Sequence, residues 1–351
     1  MKKYLVLEVT DDLYHAGSKA TEDIANIAKT YGYKILKIKK LNSSSGVINK
    51  IKRQIQFYKD WNAVYKSIEI NSIIILQHPF HFPQITRSYT LKKLKKNKKI
   101  KYISFIHDIE ELRGFRFNSY YKKEFQFMCD ITDQLISHNQ SMTDFLISKG
   151  IQHEKIINLE IFDYIKDCDK INEIEKYDKS VIIAGNLDKE KCKFLKDLDK
   201  LDFLKINLYG PNYTDKLQSK NLNYLGVYPP TTLPQKLKGN FGLVWDGDSI
   251  NSCSGDAGKY LQFNNPHKLS LYLASGIPVI IWSKAAEARF VETNKLGICV
   301  NSLYELQDIL STMTDEDYYK MVANVKNISN KLCDGYYTQK AIIKAEENLG
   351  N

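Results

Sequence analysis

The stretch FGLVWDGDSINSCSGDAGKYLQFNNPHKLSLYLASGIPVII, residues 241–281, holds the densest set of residues able to handle a charged ligand. Its pattern predicts a strand ending in Trp245-Asp246-Gly247, then a small-residue loop with Gly255 and Gly258, then a helix opened by Asn265 and Pro266. Asn at the N-cap and Pro at the first helical position mark such a start. His267 and Lys268 then fall in the first turn, where free backbone N–H groups, the helix dipole and a lysine charge all favour a diphosphate. Leu269, Tyr272 and Leu273 bury the opposite face. A plain capped helix is the competing reading, but so long a polar loop between strand and helix has little purely structural reason.

A second group lies in FIHDIEELRGFR, where His107, Asp108, Glu110 and Arg113 follow a predicted strand. Imidazole or carboxylate at that edge could take a proton from a hydroxyl, Asp108 first and His107 second, with Arg113 orienting the carboxylate or the acceptor. His78 and His81 in QHPFHFP lack a third ligand, and Pro79 and Pro83 suit an irregular loop better than a metal site. Gly17 precedes a helix with Glu22 and Asp23 in its first turn and could let backbone N–H groups approach an anion. The segment is not GxGxxG, so no nicotinamide site is read. In VIIAGNLDKEKCKFL, Gly185 and Asn186 end a strand and Lys189 sits beside an expected helix start, where it could meet a phosphate. Tyr228, between Gly226 and a proline pair, could stack on a flat base. Ordinary turns account equally well for the Gly17 and Tyr228 segments.

The elements that must hold these groups alternate. Strands are predicted at 4–9, 34–38, 72–77, 101–107, 134–138 and 155–161, with helical spacing between them, which implies a parallel sheet. Residues 162–179 break the pattern as a polar connection. A second alternation follows, with strands at 181–184, 205–209, 242–245, 278–282 and 298–300 and a helical tail from about Tyr318. The expected fold is α/β with two Rossmann-like domains, and in such sheets ligands bind beyond the carboxyl ends of the strands. All the groups above lie there.

A length of 351 residues suits two domains. With 43% hydrophobic residues, 23 Tyr and 15 Phe, the chain has matter for two cores. No export signal or membrane-spanning run is read, and six scattered cysteines without a CxxC pair point to a reducing, cytoplasmic setting and no structural metal. Residues 1–170 carry 29 Lys and Arg against 19 Asp and Glu, while the remainder is balanced. The run LKKLKKNKKIK, 91–101, reads first as a solvated helix face, then as a contact for the inner face of a membrane; nucleic acid is not expected.

GNLDK, the WDG strand end, GDAGKY, NNPHKLSLYLASGIPVI and HDIEELR together resemble bacterial glycosyltransferases of the two-Rossmann-domain (GT-B) class. The similar groups are the glucosyltransferases that extend N-acetylglucosamine on serine-rich-repeat adhesins and the related galactofuranosyltransferases of cell-surface polysaccharides. The resemblance implies an acceptor domain at 1–165, a nucleotide-sugar domain at 180–335 and a C-terminal helix, 336–351, able to cross back, with the active site in the cleft. It implies that Asn186, Tyr228, Asn265 and Lys268 contact UDP, that Gly17 contacts it from across the cleft, and that Asp246, Gly255 and Gly258 lie near the donor sugar. Asn265 and Leu273 stand where retaining enzymes of this class carry acids, which favours inversion. A hexose would pass from a UDP-sugar to a glycan or glycoprotein acceptor without cofactor or metal, in a homo-oligomer. The rivals are a polysaccharide galactofuranosyltransferase, an epimerase or hydrolase on the same fold, and a non-catalytic UDP-sugar-binding partner subunit.

Overall fold

Runs such as YLVLEV, IIILQH and VIIA are apolar on both strand faces, as a sheet covered by helices on each side requires. In the computed structural model, which describes residues 1–9, 16–41, 46–114, 117–166, 176–190, 192–214 and 220–350, they form two six-stranded sheets. The first contains β1 (Lys3–Val9), β2 (Lys34–Lys39), β3 (Ile73–His78), β4 (Lys101–Ile106), β5 (Gln134–Ser137) and β6 (Ile156–Asn158), in the order β2-β1-β3-β4-β5-β6. The second contains β7 (Val181–Ala184), β8 (Ile206–Tyr209), β9 (Leu222–Tyr224), β10 (Phe241–Val244), β11 (Val279–Trp282) and β12 (Gly297–Val300), in the order β12-β11-β10-β7-β8-β9.

Every strand pair is parallel. All carboxyl ends in a sheet therefore share one edge, and the strand order reverses at β1/β3 and at β7/β10. A ligand crevice is expected at such reversals. At the second reversal, Gly242 in β10 admits the ring of Tyr272, which a Cβ there would approach to 2.1 Å. That ring lies across the strand, and its hydroxyl accepts the Ala184 N–H at the end of β7 at 2.7 Å.

The chain passes between the sheets twice. Helix Asp315–Cys333 belongs to the second sheet, with Ser329 Oγ donating to Ala274 O at 2.8 Å. Helix Tyr336–Gly350 then lies on the first, where Glu346 meets Lys3 Nζ and the Tyr33 hydroxyl, each at 2.7 Å. At the crossing, Asp163 accepts the Tyr337 and Thr338 N–H groups at 3.2 and 2.6 Å, and Tyr164 N donates to Leu332 O at 3.1 Å. One apolar cluster runs from Leu5 and Phe105 through Ile161, Phe162 and Tyr337 to Val244 and Leu269.

Candidate functional site

Four local expectations change once the elements are seen. The helix read from Asn265 runs His267–Ala274, with Pro266 as N-cap and no side chain capping it. Pro266 ψ of 127° is extended, so helical geometry starts one residue later than the Asn-Pro pair implies. His267 and Lys268 still occupy the first turn. Gly17 lies inside the first turn of helix Ala16–Thr30, and Glu22 and Asp23 fall in the second, while residues 10–15, between it and β1, lie outside the described residues. Gly255 and Gly258 belong to a short helix, Gly255–Tyr260, rather than a loop. Lys189 is exposed in a turn, and the helix expected beside it is a 3-10 helix, Lys193–Lys200, that begins beyond Cys192.

The second-sheet side of the site is built around Lys268. Its Nζ donates to Trp245 O at 2.9 Å and pairs with Asp246 at 3.0 Å. Burial is the largest single influence and opposes the charge, but the Asp246 carboxylate together with Cys192 and Tyr272 holds the lysine pKa above its ordinary value. The ammonium thus keeps its charge at neutral pH beside Asp246, which stands two residues beyond the end of β10. The preceding residue, His267, packs its ring against Phe162 and Tyr164, and its buried Nε2 has no hydrogen-bond partner, an orphan that a ligand oxygen or water would satisfy. Burial first, then Lys19, lowers the His267 pKa to about 4, so the ring is neutral.

The glycines of this side serve packing. A Cβ on Gly258 would come within 2.4 Å of Cys253 backbone, and one on Gly255 within 2.5 Å of the Asp248 carboxylate. Asn186 is exposed after β7, its Oδ1 accepting from Asp188 N at 3.1 Å and Asn212 Nδ2 at 2.9 Å. Tyr228 is half-buried with its ring 6.4 Å from Tyr209. Asn186 and Lys268 thus flank the β7/β10 reversal, while Tyr228 follows the edge strand β9.

Asn265 faces the other way. Its Nδ2 donates to His138 O at 2.7 Å and Glu160 O at 3.0 Å, and its Oδ1 accepts from Asn139 Nδ2 at 2.7 Å. Its amide side chain is committed to the first domain across the cleft. The carboxyl edges of the two sheets therefore face each other.

On the first-domain edge, His107 stacks on Phe162, with centroids 5.5 Å apart and planes 4° apart. Gln77 Nε2 donates to Thr21 O at 3.2 Å, which turns its carbonyl oxygen toward His107 Nε2 at 2.8 Å. The proton then sits on Nε2 and the Nδ1 lone pair is left for chemistry. Burial, then the neighbouring His138 and His267, keep the His107 pKa well below its ordinary value. Asp108 is differently placed: Oδ2 pairs with Arg113 at 3.0 Å, and Oδ1 accepts the Tyr260 hydroxyl at 3.1 Å. Arg113 also pairs with Glu110 at 3.1 Å. With both oxygens engaged, Asp108 and Arg113 act as a clasp to helix Gly255–Tyr260.

One group escaped the sequence reading. Glu8, near the end of β1, accepts from Gln84, which also accepts the Trp61 Nε1–H at 2.7 Å. Behind it, buried Arg87 pairs with Glu124 and lies 4.4 Å from the Phe80 ring centre. Burial raises the Glu8 pKa to about 7 against the pull of Lys40 and Arg87. A Glu closing an otherwise apolar strand was the available sign. His78 is buried 3.7 Å from Glu124, and His81 Nδ1 lies 3.3 Å from the Tyr121 hydroxyl. Among the described residues no group of three His, Cys, Asp or Glu could hold a metal ion.

Residues 2–161 match the N-terminal and 181–345 the C-terminal domain model of glucosyltransferase 3-like proteins. The chain is 35% identical to the beta-1,6-galactofuranosyltransferase WbbI of Escherichia coli over 95% of both chains. It is 27% identical to glucosyltransferase 3 of Streptococcus gordonii, over 93% of this chain and 92% of that one. Anabaena HepE in complex with UDP superposes with a TM-score of 0.66 at 12% identity, covering 98% of this chain and 99% of that one. That likeness is one of fold.

Proposed function

Given that this chain is a glycosyltransferase of the glucosyltransferase 3-like family, we propose that it moves a hexose from a UDP-sugar to a glycan acceptor, with inversion and without a metal. The observation that carries this reading is Lys268 in the first turn of a helix without a side-chain cap, its ammonium held by Trp245 O and Asp246 just beyond β10 at the β7/β10 reversal. The greater identity with the galactofuranosyltransferase favours galactofuranose over glucose as the sugar moved.

In this mechanism the acceptor oxygen attacks the anomeric carbon as the bond to the UDP oxygen breaks, and the hydroxyl proton passes to His107 Nδ1. Lys268 and the first-turn N–H groups take the charge that develops on the leaving diphosphate. Gly17, Asn186 and Tyr228 are assigned to the nucleotide, and Asp246 holds Lys268. Lys189 is left to the outer rim of the diphosphate.

The first test is UDP release from a panel of UDP-sugars in EDTA, with and without glycan acceptors. Acceptor-dependent release from one donor is expected. Release without acceptor would instead mark a hydrolase, and none from any donor a non-catalytic subunit.

The pH profile of the same assay identifies the base. With His107, whose pKa lies well below 6.5, the rate is expected to hold as pH falls through 7. With Glu8 as base, the rate would fall below about pH 7 as its carboxylate protonates. A loss centred near 7 that disappears in Glu8→Gln, together with residual activity, would sink the assignment to His107.

A further inference from the structure

Helix Val47–Ser67 is apolar on two faces. Phe57, Trp61 and Val64 point into the core beneath the first sheet. Val47, Ile48, Ile51, Ile55 and Tyr58 recur at helical spacing on another face and are all exposed, Val47 by 72% and Ile48 by 69%. Helix Ile85–Lys98 packs beside it and continues the patch with Ile85 and Tyr89, exposed by 77% and 69%. So large an apolar surface is uncommon on a monomer unless something covers it.

The charge around the patch decides what that is. The two helices carry eleven Lys and Arg and one acid, Asp60. Lys50, Lys52, Lys59, Lys92 and Lys96 are exposed. A second copy brought against this face would set lysines against lysines. An anionic bilayer presents the complementary charge, an apolar interior for the isoleucines and an interfacial layer suited to tyrosine rings. The chain has no helix among its described residues long and apolar enough to cross a membrane, so contact would be confined to the surface.

We propose that the outer face formed by helices Val47–Ser67 and Ile85–Lys98 is a docking surface for an anionic lipid bilayer, with Ile48, Ile51, Ile55 and Ile85 entering the acyl boundary and the flanking lysines meeting headgroup phosphates. The basic run 91–101 supplies only part of this surface; the apolar stripe lies mainly on the preceding helix.

The test is co-sedimentation of the full chain with vesicles of phosphatidylcholine alone, or of phosphatidylcholine with one-third phosphatidylglycerol. Binding is expected only to the anionic vesicles, with about a fivefold loss for each surface lysine neutralised. Ile51→Ser/Ile55→Ser is expected to lower binding at least about tenfold, because each buried CH₂ contributes roughly 0.8 kcal/mol. Both residues are exposed, so the variant should keep its thermal midpoint and its UDP release with a water-soluble acceptor. Equal binding by parent and variant, or none to anionic vesicles, overturns the proposal. So does light scattering that finds a dimer in the parent and a monomer in the variant, which would assign the stripe to a second copy. The sedimentation readout is independent of catalysis, so an inactive protein that still docks leaves this inference standing.

Discussion

Lys268→Met is expected to lower acceptor-dependent UDP release by about 10²–10³-fold, the loss typical of removing one preorganised group from a developing charge. Methionine keeps the length and the apolar contacts of the stem. It removes the Nζ that donates to Trp245 O and pairs with Asp246 at 3.0 Å. The variant also leaves Asp246, itself buried, without its cation and close to where the diphosphate is assigned. Part of the loss is thus repulsion, and part is stability, since an uncompensated buried charge costs about 3–5 kcal/mol. The double variant Lys268→Met/Asp246→Asn separates these: its thermal midpoint should recover while its turnover stays low. A single variant within about threefold of the parent rate would remove Lys268 from the transition state.

The second large effect is structural. Asp163→Ala is expected to destabilise the chain by about 2–4 kcal/mol, because it strands the Tyr337 and Thr338 N–H groups at the buried start of the last helix. Burial pushes the Asp163 carboxyl up to about 7, against the pull of those N–H groups. A carboxyl whose folded pKa is raised stabilises most below the unfolded value near 3.9, and that contribution is lost as pH rises through about 7. The gap between parent and Asp163→Ala in urea unfolding should accordingly narrow from pH 5 to pH 8. Asp163→Asn, which keeps an acceptor without the charge, should retain most of the stability. A gap that widens with pH would mean that the carboxylate, rather than the acid, is the form that holds the helix.

Eleven of the twelve strands were legible because most are apolar runs bounded by polar or glycine-containing segments, and because alternation with helical spacing leaves few topologies; β9, a three-residue edge strand with two exposed side chains, carries no such run and was not read. The first turn holding His267 and Lys268 was legible from Asn265-Pro266, although the helix begins one residue later. The partners of Asn265 were not legible. His138, Asn139 and Glu160 lie more than a hundred positions away, and nothing local separates an N-cap asparagine from one spent across a cleft. The same holds for the clasp of Asp108 by Tyr260, 152 positions on. Glu8 and Arg87 were hidden in plainer ways, one inside a strand run and the other in a helix read for its lysines. The stripe on helix Val47–Ser67 escaped because its core face and its outer face interleave, so that hydrophobic periodicity reads as one broad face.

The double passage of the chain at Asp163–Tyr164 and Leu332–Thr338 has a mechanical consequence. Two covalent crossings tied to each other by the Asp163 carboxylate and one backbone hydrogen bond resemble two knuckles of one door hinge. Any separation of the domains would have to pivot about this tie. Asn265 and Tyr260, on the second domain, meet His138 and Asp108 on the first. Opening wide enough to admit a donor would therefore break these latch contacts while the tie holds, and the tie would return them to the same register on closing.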